Sequence, residues 1–204
     1  MVYQLIYRTP YKTATGAVPL DGDMMDVRVL DPETADPVTR HRGRAINSGY
    51  PVDPATVPRI IVWKSDTRQV TDLIMAAGAY IVSRRFRDLV ESFEPGVHQF
   101  LEVDIRRPNG KHISTRYFMQ SCHEIDSVDA KHTTWIRRGA AQTGMWDNEG
   151  IMERELFFSR KQIGVAHLWR DLSIAADLFC SNELGDKIIN MRLTGAMLDF
   201  YPEV

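Results

Sequence analysis

Along residues 83–105 the apolar positions change from a helical period to an alternating one. Phe86, Leu89, Val90 and Phe93 recur at i, i+3, i+4 and i+7 and share one face of a helix. Arg84, Arg85, Arg87, Asp88 and Glu91 fall largely on the other side. Ser83 is a natural N-cap, because its hydroxyl takes up a backbone N–H that the first turn leaves unpaired. Pro95-Gly96 ends the helix: proline disfavours the α conformation of the residue before it, and glycine accepts positive φ. From Val97 the period is two. Val97, Gln99, Leu101, Val103 and Ile105 share one side of a strand, and His98, Phe100, Glu102 and Asp104 the other. Pro108-Asn109-Gly110 separates this run from His112–Gln120, and Asn-Gly between two alternating runs predicts a hairpin over 97–120.

A similar unit closes the chain. Ser181, Leu184, Asp186, Ile188 and Met191 stand 98 positions after Ser83, Phe86, Asp88, Val90 and Phe93; Leu193-Thr194-Gly195 stops the helix and Ala196–Tyr201 reads as the strand. Two copies are too few for a solenoid. They predict an α+β fold with a mostly antiparallel sheet and two similar Ser-capped helix–strand units, 83–105 and 181–201. Elsewhere residues 2–7, Arg59–Trp63, Tyr80–Val82, Thr133–Ile136 and Glu155–Phe158 read as strands, and Thr71–Ala79 as a short helix around Leu73, Ile74 and Met75. Ala140–Gly150 reads as a loop with an exposed Trp146. Seven of the ten prolines lie in residues 1–60, where no helical period lasts two turns. That texture predicts a loop-rich N-terminal extension over 1–60 packed on an α+β domain at 61–204.

Composition narrows the function. A net charge of −2 over 204 residues, evenly distributed, lacks the basic footprint of a nucleic-acid binder. The two cysteines, Cys122 and Cys180, form no CxxC motif and predict reduced thiols in a cytoplasmic setting. The first residues do not read as a signal peptide, and no apolar run approaches the ~18 residues of a membrane helix. Neither GxGxxG, GxxxxGK[ST] nor G-x-S-x-G occurs, so no cofactor is expected. The densest polar cluster, Cys122–His132, holds potential metal ligands, but its spacing fits no zinc pattern. It reads as a polar turn anchored by Ile125 and Val128, with metal or catalytic use of His123, Asp126 and His132 as the sharper alternative. His98 reads as a core-edge histidine. Two candidate partner contacts remain. One is the basic run Arg40, Arg42 and Arg44; the other is Trp146 with Arg137, Arg138 and Asp147, since Trp and Arg dominate binding hot spots.

Asp72-Leu73-Ile74, Ile81–Glu91 and Glu94–Val103, followed by Ile125-Asp126-Ser127-Val128-Asp129 and the closing Ser181…Leu193-Thr194-Gly195 unit, together resemble the bacterial immunity family numbered eleven, formerly a domain of unknown function, linked to polymorphic-toxin loci. The resemblance covers roughly residues 70–204 and consists of structural positions, so it carries over no catalytic residue. It implies a non-enzymatic cytoplasmic protein that binds and blocks a cognate toxin made by the same cell. An adaptor or chaperone for a secreted effector is the alternative, and an enzyme using the Cys122–His132 cluster the third reading. Neither the toxin's activity nor the oligomeric state is legible.

Overall fold

The structure is a computed structural model and describes residues 1–8, 16–33, 45–64, 69–138, 145–147, 154–174 and 178–204. The strands are β1 (Val2–Tyr7), β2 (Ala17–Pro19), β3 (Ile60–Trp63), β4 (Leu73–Ala76), β5 (Ala79–Val82), β6 (Gln99–Arg106), β7 (His112–Gln120), β8 (Glu124–Ile125), β9 (Ile136–Arg138), β10 (Met145–Asp147), β11 (Leu168–Asp171), β12 (Leu178–Ser181) and β13 (Ala196–Tyr201). The α-helices are α1 (Arg84–Phe93), α2 (Arg160–Ile163) and α3 (Asn182–Asn190). One sheet has the order β2-β3-β6-β7-β5-β4, a second β13-β1-β12-β11-β8, and β9 and β10 form a separate ribbon. No helix among the described residues is long and apolar enough to cross a membrane.

The fold is α+β, with the expected hairpin and both expected units. The Ser83 hydroxyl accepts the Phe86 N–H and the Ser181 hydroxyl the Leu184 N–H, each at 3.2 Å. A cap of this kind contributes about 1 kcal/mol. Phe86, Leu89 and Val90 are buried as their spacing requires, and each fully buried side chain of this size contributes about 1.5–3 kcal/mol. Gly96 and Gly195 follow the two helices at φ 71° and 82°. β6 and β7 pair antiparallel around Asn109-Gly110.

Four expectations are corrected. Thr133–Ile136 and Glu155–Phe158 are not strands: β9 begins only at Ile136 and Phe158 makes isolated bridges, while the Thr133 and Thr134 hydroxyls accept the Phe157 and Glu155 N–H groups. Thr71–Ala79 is not helical: Leu73–Ala76 is β4, hairpinned to β5 through Ala77 and Gly78, whose positive φ values of 47° and 87° suit a tight hairpin turn. Leu73, Ile74 and Ala76 are all fully buried, and a short apolar run buried on both faces has no period that separates strand from helix. Trp146 does not sit on an exposed loop. It lies on β10 opposite Arg137, half-buried against the core cluster that contains Val128 and Phe158.

The two sheets share one topology, apart from β8, which pairs parallel with β11 and has no counterpart in the first sheet. In the first, β2 is antiparallel to β3, β3 parallel to β6, and β6-β7-β5-β4 antiparallel throughout. In the second, Val128 bridges Phe158 antiparallel, Phe158 bridges Glu203 parallel, and β13-β1-β12-β11 are again antiparallel. Both helices are crossovers between parallel strands that hold one antiparallel strand between them. That inserted strand is β7 in one half and the N-terminal β1 in the other. The displacement of 98 runs through the register: the row Val82–Tyr117–Glu102 matches Cys180–Tyr3–Phe200. Arg87 stacks over Tyr117 at 4.4 Å, and its counterpart Gly185 leaves the ring of Tyr3 pressed against the helix.

Three core clusters follow from this plan. A central one takes Phe86, Leu89 and Val90 of α1, Leu184 and Ile188 of α3, and side chains of both sheets. The outer face of the first sheet is covered by Met24, Val27, Ala45, Val52 and Val57, from the excursion between β2 and β3. The outer face of the second is covered by the equivalent excursion between Val128 and Phe158, which supplies Trp135, Trp146 and Leu156.

Candidate functional site

Each helix ends by clasping the segment that precedes the other helix. After α3, the Thr194 carbonyl accepts the Leu73 N–H at 3.0 Å, and Asp72 accepts the Thr194 N–H and hydroxyl, each at 2.9 Å. Asp72 also accepts the hydroxyl of Ser83, the cap of α1, at 2.7 Å. Burial opposes the ionisation of Asp72, but the Thr194 and Ser83 donors and the Arg85 charge hold its carboxyl below the usual range. After α1, the counterpart is Glu94. Its carboxylate accepts the N–H groups of His167 and Leu168, both at 2.9 Å, and the His167 ring meets the hydroxyl of Ser181, the cap of α3, at 2.8 Å.

Around Glu94 the structure assembles the densest titratable group among its described residues. His98 Nε2 lies 2.7 Å from Glu94 Oε2, and His123 Nε2 lies 3.3 Å from Oε1. The two imidazoles meet edge-on at 5.4 Å. Glu94 and His98 are buried, and His123 is part exposed. Burial disfavours the Glu94 carboxylate, yet the His123 and His98 donors and the His167 N–H outweigh it and hold its pKa down at about 2.

Two histidines and a carboxylate at this spacing have the composition of a metal site, their ligand atoms lying within 4.8 Å of one another. The hydrogen bonds argue for another use. The Cys122 N–H donates to His98 Nδ1 at 3.1 Å, so the Nδ1 lone pair is taken and the ring proton sits on Nε2, pointing at Glu94. A metal on Nε2 would need that proton moved to Nδ1, against the Cys122 donor. Oε2 already accepts the Leu168 N–H and the His98 Nε2–H, and Oε1 accepts the His167 N–H with His123 Nε2 at 3.3 Å. The chemistry present is a saturated carboxylate that ties the end of α1 to the start of β11.

The Cys122–His132 cluster is thereby divided. His123 joins Glu94, while His132 bonds Asp129 at 2.9 Å in a turn of its own. Burial pushes the Cys122 thiol up to about 11, and its Sγ faces the Gln120 carbonyl at 3.5 Å, so it is no ready nucleophile. Ile125 and Val128 anchor the segment in the core, as a polar turn requires. The assembly of Glu94, His98, His123 and His167 was not read from the sequence; its one local signal is the i, i+4 spacing of Glu94 and His98 across the Pro95-Gly96 break.

Of the expected partner-binding residues, Arg40, Arg42 and Arg44 lie outside the described residues. Arg137 and Arg138 are on β9, and Trp146 and Asp147 on β10; these two strands pair. A cleft of about 540 Å³ opens beside the N-terminus of α3, lined by Ile163, Val165, Trp169, Glu183 and Glu203 among others.

The depressed pKa sets an acid limit. Ionised Glu94 stabilises the fold fully above about pH 4.5 and loses that contribution as pH falls toward 2. Urea midpoints should therefore fall across this window in the wild type and fall less in a Glu94→Gln variant. Equal slopes for the two proteins would show that Glu94 does not set the acid limit.

Residues 23–201 match the model of the Immunity protein family (Imm11), so the match begins well before the region whose residues carry the resemblance. No curated protein matches the chain.

Proposed function

As the chain belongs to this immunity protein family, we propose that it binds a cognate bacterial toxin in the cytoplasm and neutralises it by occlusion, without catalysis. The family match over nearly the whole chain carries this reading. It is supported by the hydrogen bonds that tie Glu94 to His98, His167 and Leu168, and by the raised pKa of Cys122, which disfavours its thiolate. Arg40, Arg42 and Arg44, and Trp146 with Arg137, Arg138 and Asp147, are proposed to contact the toxin. Of these, Arg137, Arg138, Trp146 and Asp147 lie on the paired strands β9 and β10.

The test is co-expression with the toxin encoded beside this chain's gene. Cells should survive only when the chain is present, and the two proteins should co-elute on gel filtration. Continued killing with no complex would sink the reading, and a complex without protection would favour an adaptor that carries the effector.

A further inference from the structure

One surface beside α3 differs between the two halves. On β6, Glu102 stands opposite Tyr117; its counterpart on β13, opposite Tyr3, is Phe200, 70% exposed. On α1, Glu91 has as its counterpart Ile189 on α3, 54% exposed. One half thus carries glutamate where the other exposes large apolar side chains, and both exchanges fall around one ring. Tyr3 lies against Gly185 and its hydroxyl donates to Asp186 at 3.3 Å. Ile189 is one helical turn beyond Gly185 and Asp186, on their side of α3.

This ring borders an open sheet edge. Beyond Tyr201 the edge is taken by Phe158, whose N–H donates to the Pro202 carbonyl and whose carbonyl accepts the Val204 N–H, but among the described residues no strand pairs with the side of Ala196–Tyr201 away from β1. Such an edge presents alternate N–H and C=O groups to an incoming strand. We propose that the free edge of β13, with Phe200 and Ile189, receives an extended strand of the cognate toxin. The inference rests on the immunity reading and names where the toxin docks.

Charge selects the partner. Among the described residues Asp186 is bonded only by the neutral Tyr3 hydroxyl and Asn182 amide, and Asp199, beside Phe200 on β13, has no ion pair. The strand that completes this edge therefore places Lys or Arg next to an apolar side chain. A second copy of the chain fits badly, because a twofold axis would bring the same carboxylates together and like charges on paired strands repel.

The experiment exchanges the odd residues for those of the sister half, Phe200→Glu with Ile189→Glu. The probe is the purified product of the adjacent toxin gene in a catalytically inactivated form, and the readouts are calorimetric affinity and the urea midpoint. The double variant should keep its midpoint and bind at least about 100-fold more weakly than the wild type. Binding within about threefold of wild type overturns the proposal. Should the double variant not fold, the exposed Asp199→Lys must weaken binding by about tenfold, and unchanged affinity there overturns it equally. A wild type that forms a dimer dissociated by Phe200→Glu also overturns it, in favour of a second copy. A wild type that does not bind the toxin at all sinks the immunity reading, whereas variants that bind like a competent wild type sink only this surface.

Discussion

Replacing Gly195 by alanine is expected to destabilise the protein by about 3–5 kcal/mol, enough to unfold much of a marginal domain. Gly195 has φ 82°, a region that costs an L side chain about 1–2 kcal/mol. The second cost is steric. A Cβ there would fall inside the envelope of the Leu73 carbonyl oxygen and crowd the Thr71 side chain. Leu73 is the first residue of β4 and donates its N–H to Thr194, so the carbonyl cannot withdraw without breaking the clasp between the halves. Gly96→Ala is the control. It shares the positive φ, but nothing lies within 4 Å of its Cβ position, so it should cost only about 1–2 kcal/mol. Urea unfolding with unchanged m-values separates the two, and equal costs would remove the steric part of the argument.

Glu94→Gln is expected to cost about 2–5 kcal/mol, the second large effect. Glutamine keeps one oxygen for one pair of donors and turns an NH₂ toward the other, leaving two N–H groups facing a donor. The Leu168 N–H and His98 Nε2 share one carboxylate oxygen, while the His167 N–H and His123 Nε2 share the other. Either orientation therefore strands a backbone N–H at the start of β11. His123→Ala, which removes a longer and part-exposed contact, should cost under about 1 kcal/mol. If His123→Ala proved the more damaging, the group would owe its strength to the exposed histidine, and a binding role for it would reopen.

What the sequence disclosed was local. Ser83, Ser181, Pro95-Gly96 and Asn109-Gly110 act within a few residues of their own positions, so the caps, helix stops and hairpin were read correctly. The closing strand Ala196–Tyr201 was also placed as observed. β4 was misread because burial on both faces erases the period. Trp146 was misread because its partners, Arg137 across the ribbon and the cluster around Phe158, are distant in sequence or lie on the sheet beneath. The Glu94 group is assembled from residues 94, 98, 123 and 167, and no spacing rule joins them. The common topology of the halves was half visible: the displacement of 98 was legible in the helices, but the place of β1 between β12 and β13 is set by pairings across nearly the whole chain.

That place of β1 has a consequence for biosynthesis. Val2–Tyr7 leaves the ribosome long before its two neighbours, Leu178–Ser181 and Ala196–Tyr201. The first sheet, contained in residues 17–120, can close on the nascent chain while the earliest strand still waits unpaired. Completion of the second sheet is therefore a late event in the life of each molecule, and a chain released early carries an apolar strand with no ladder to join.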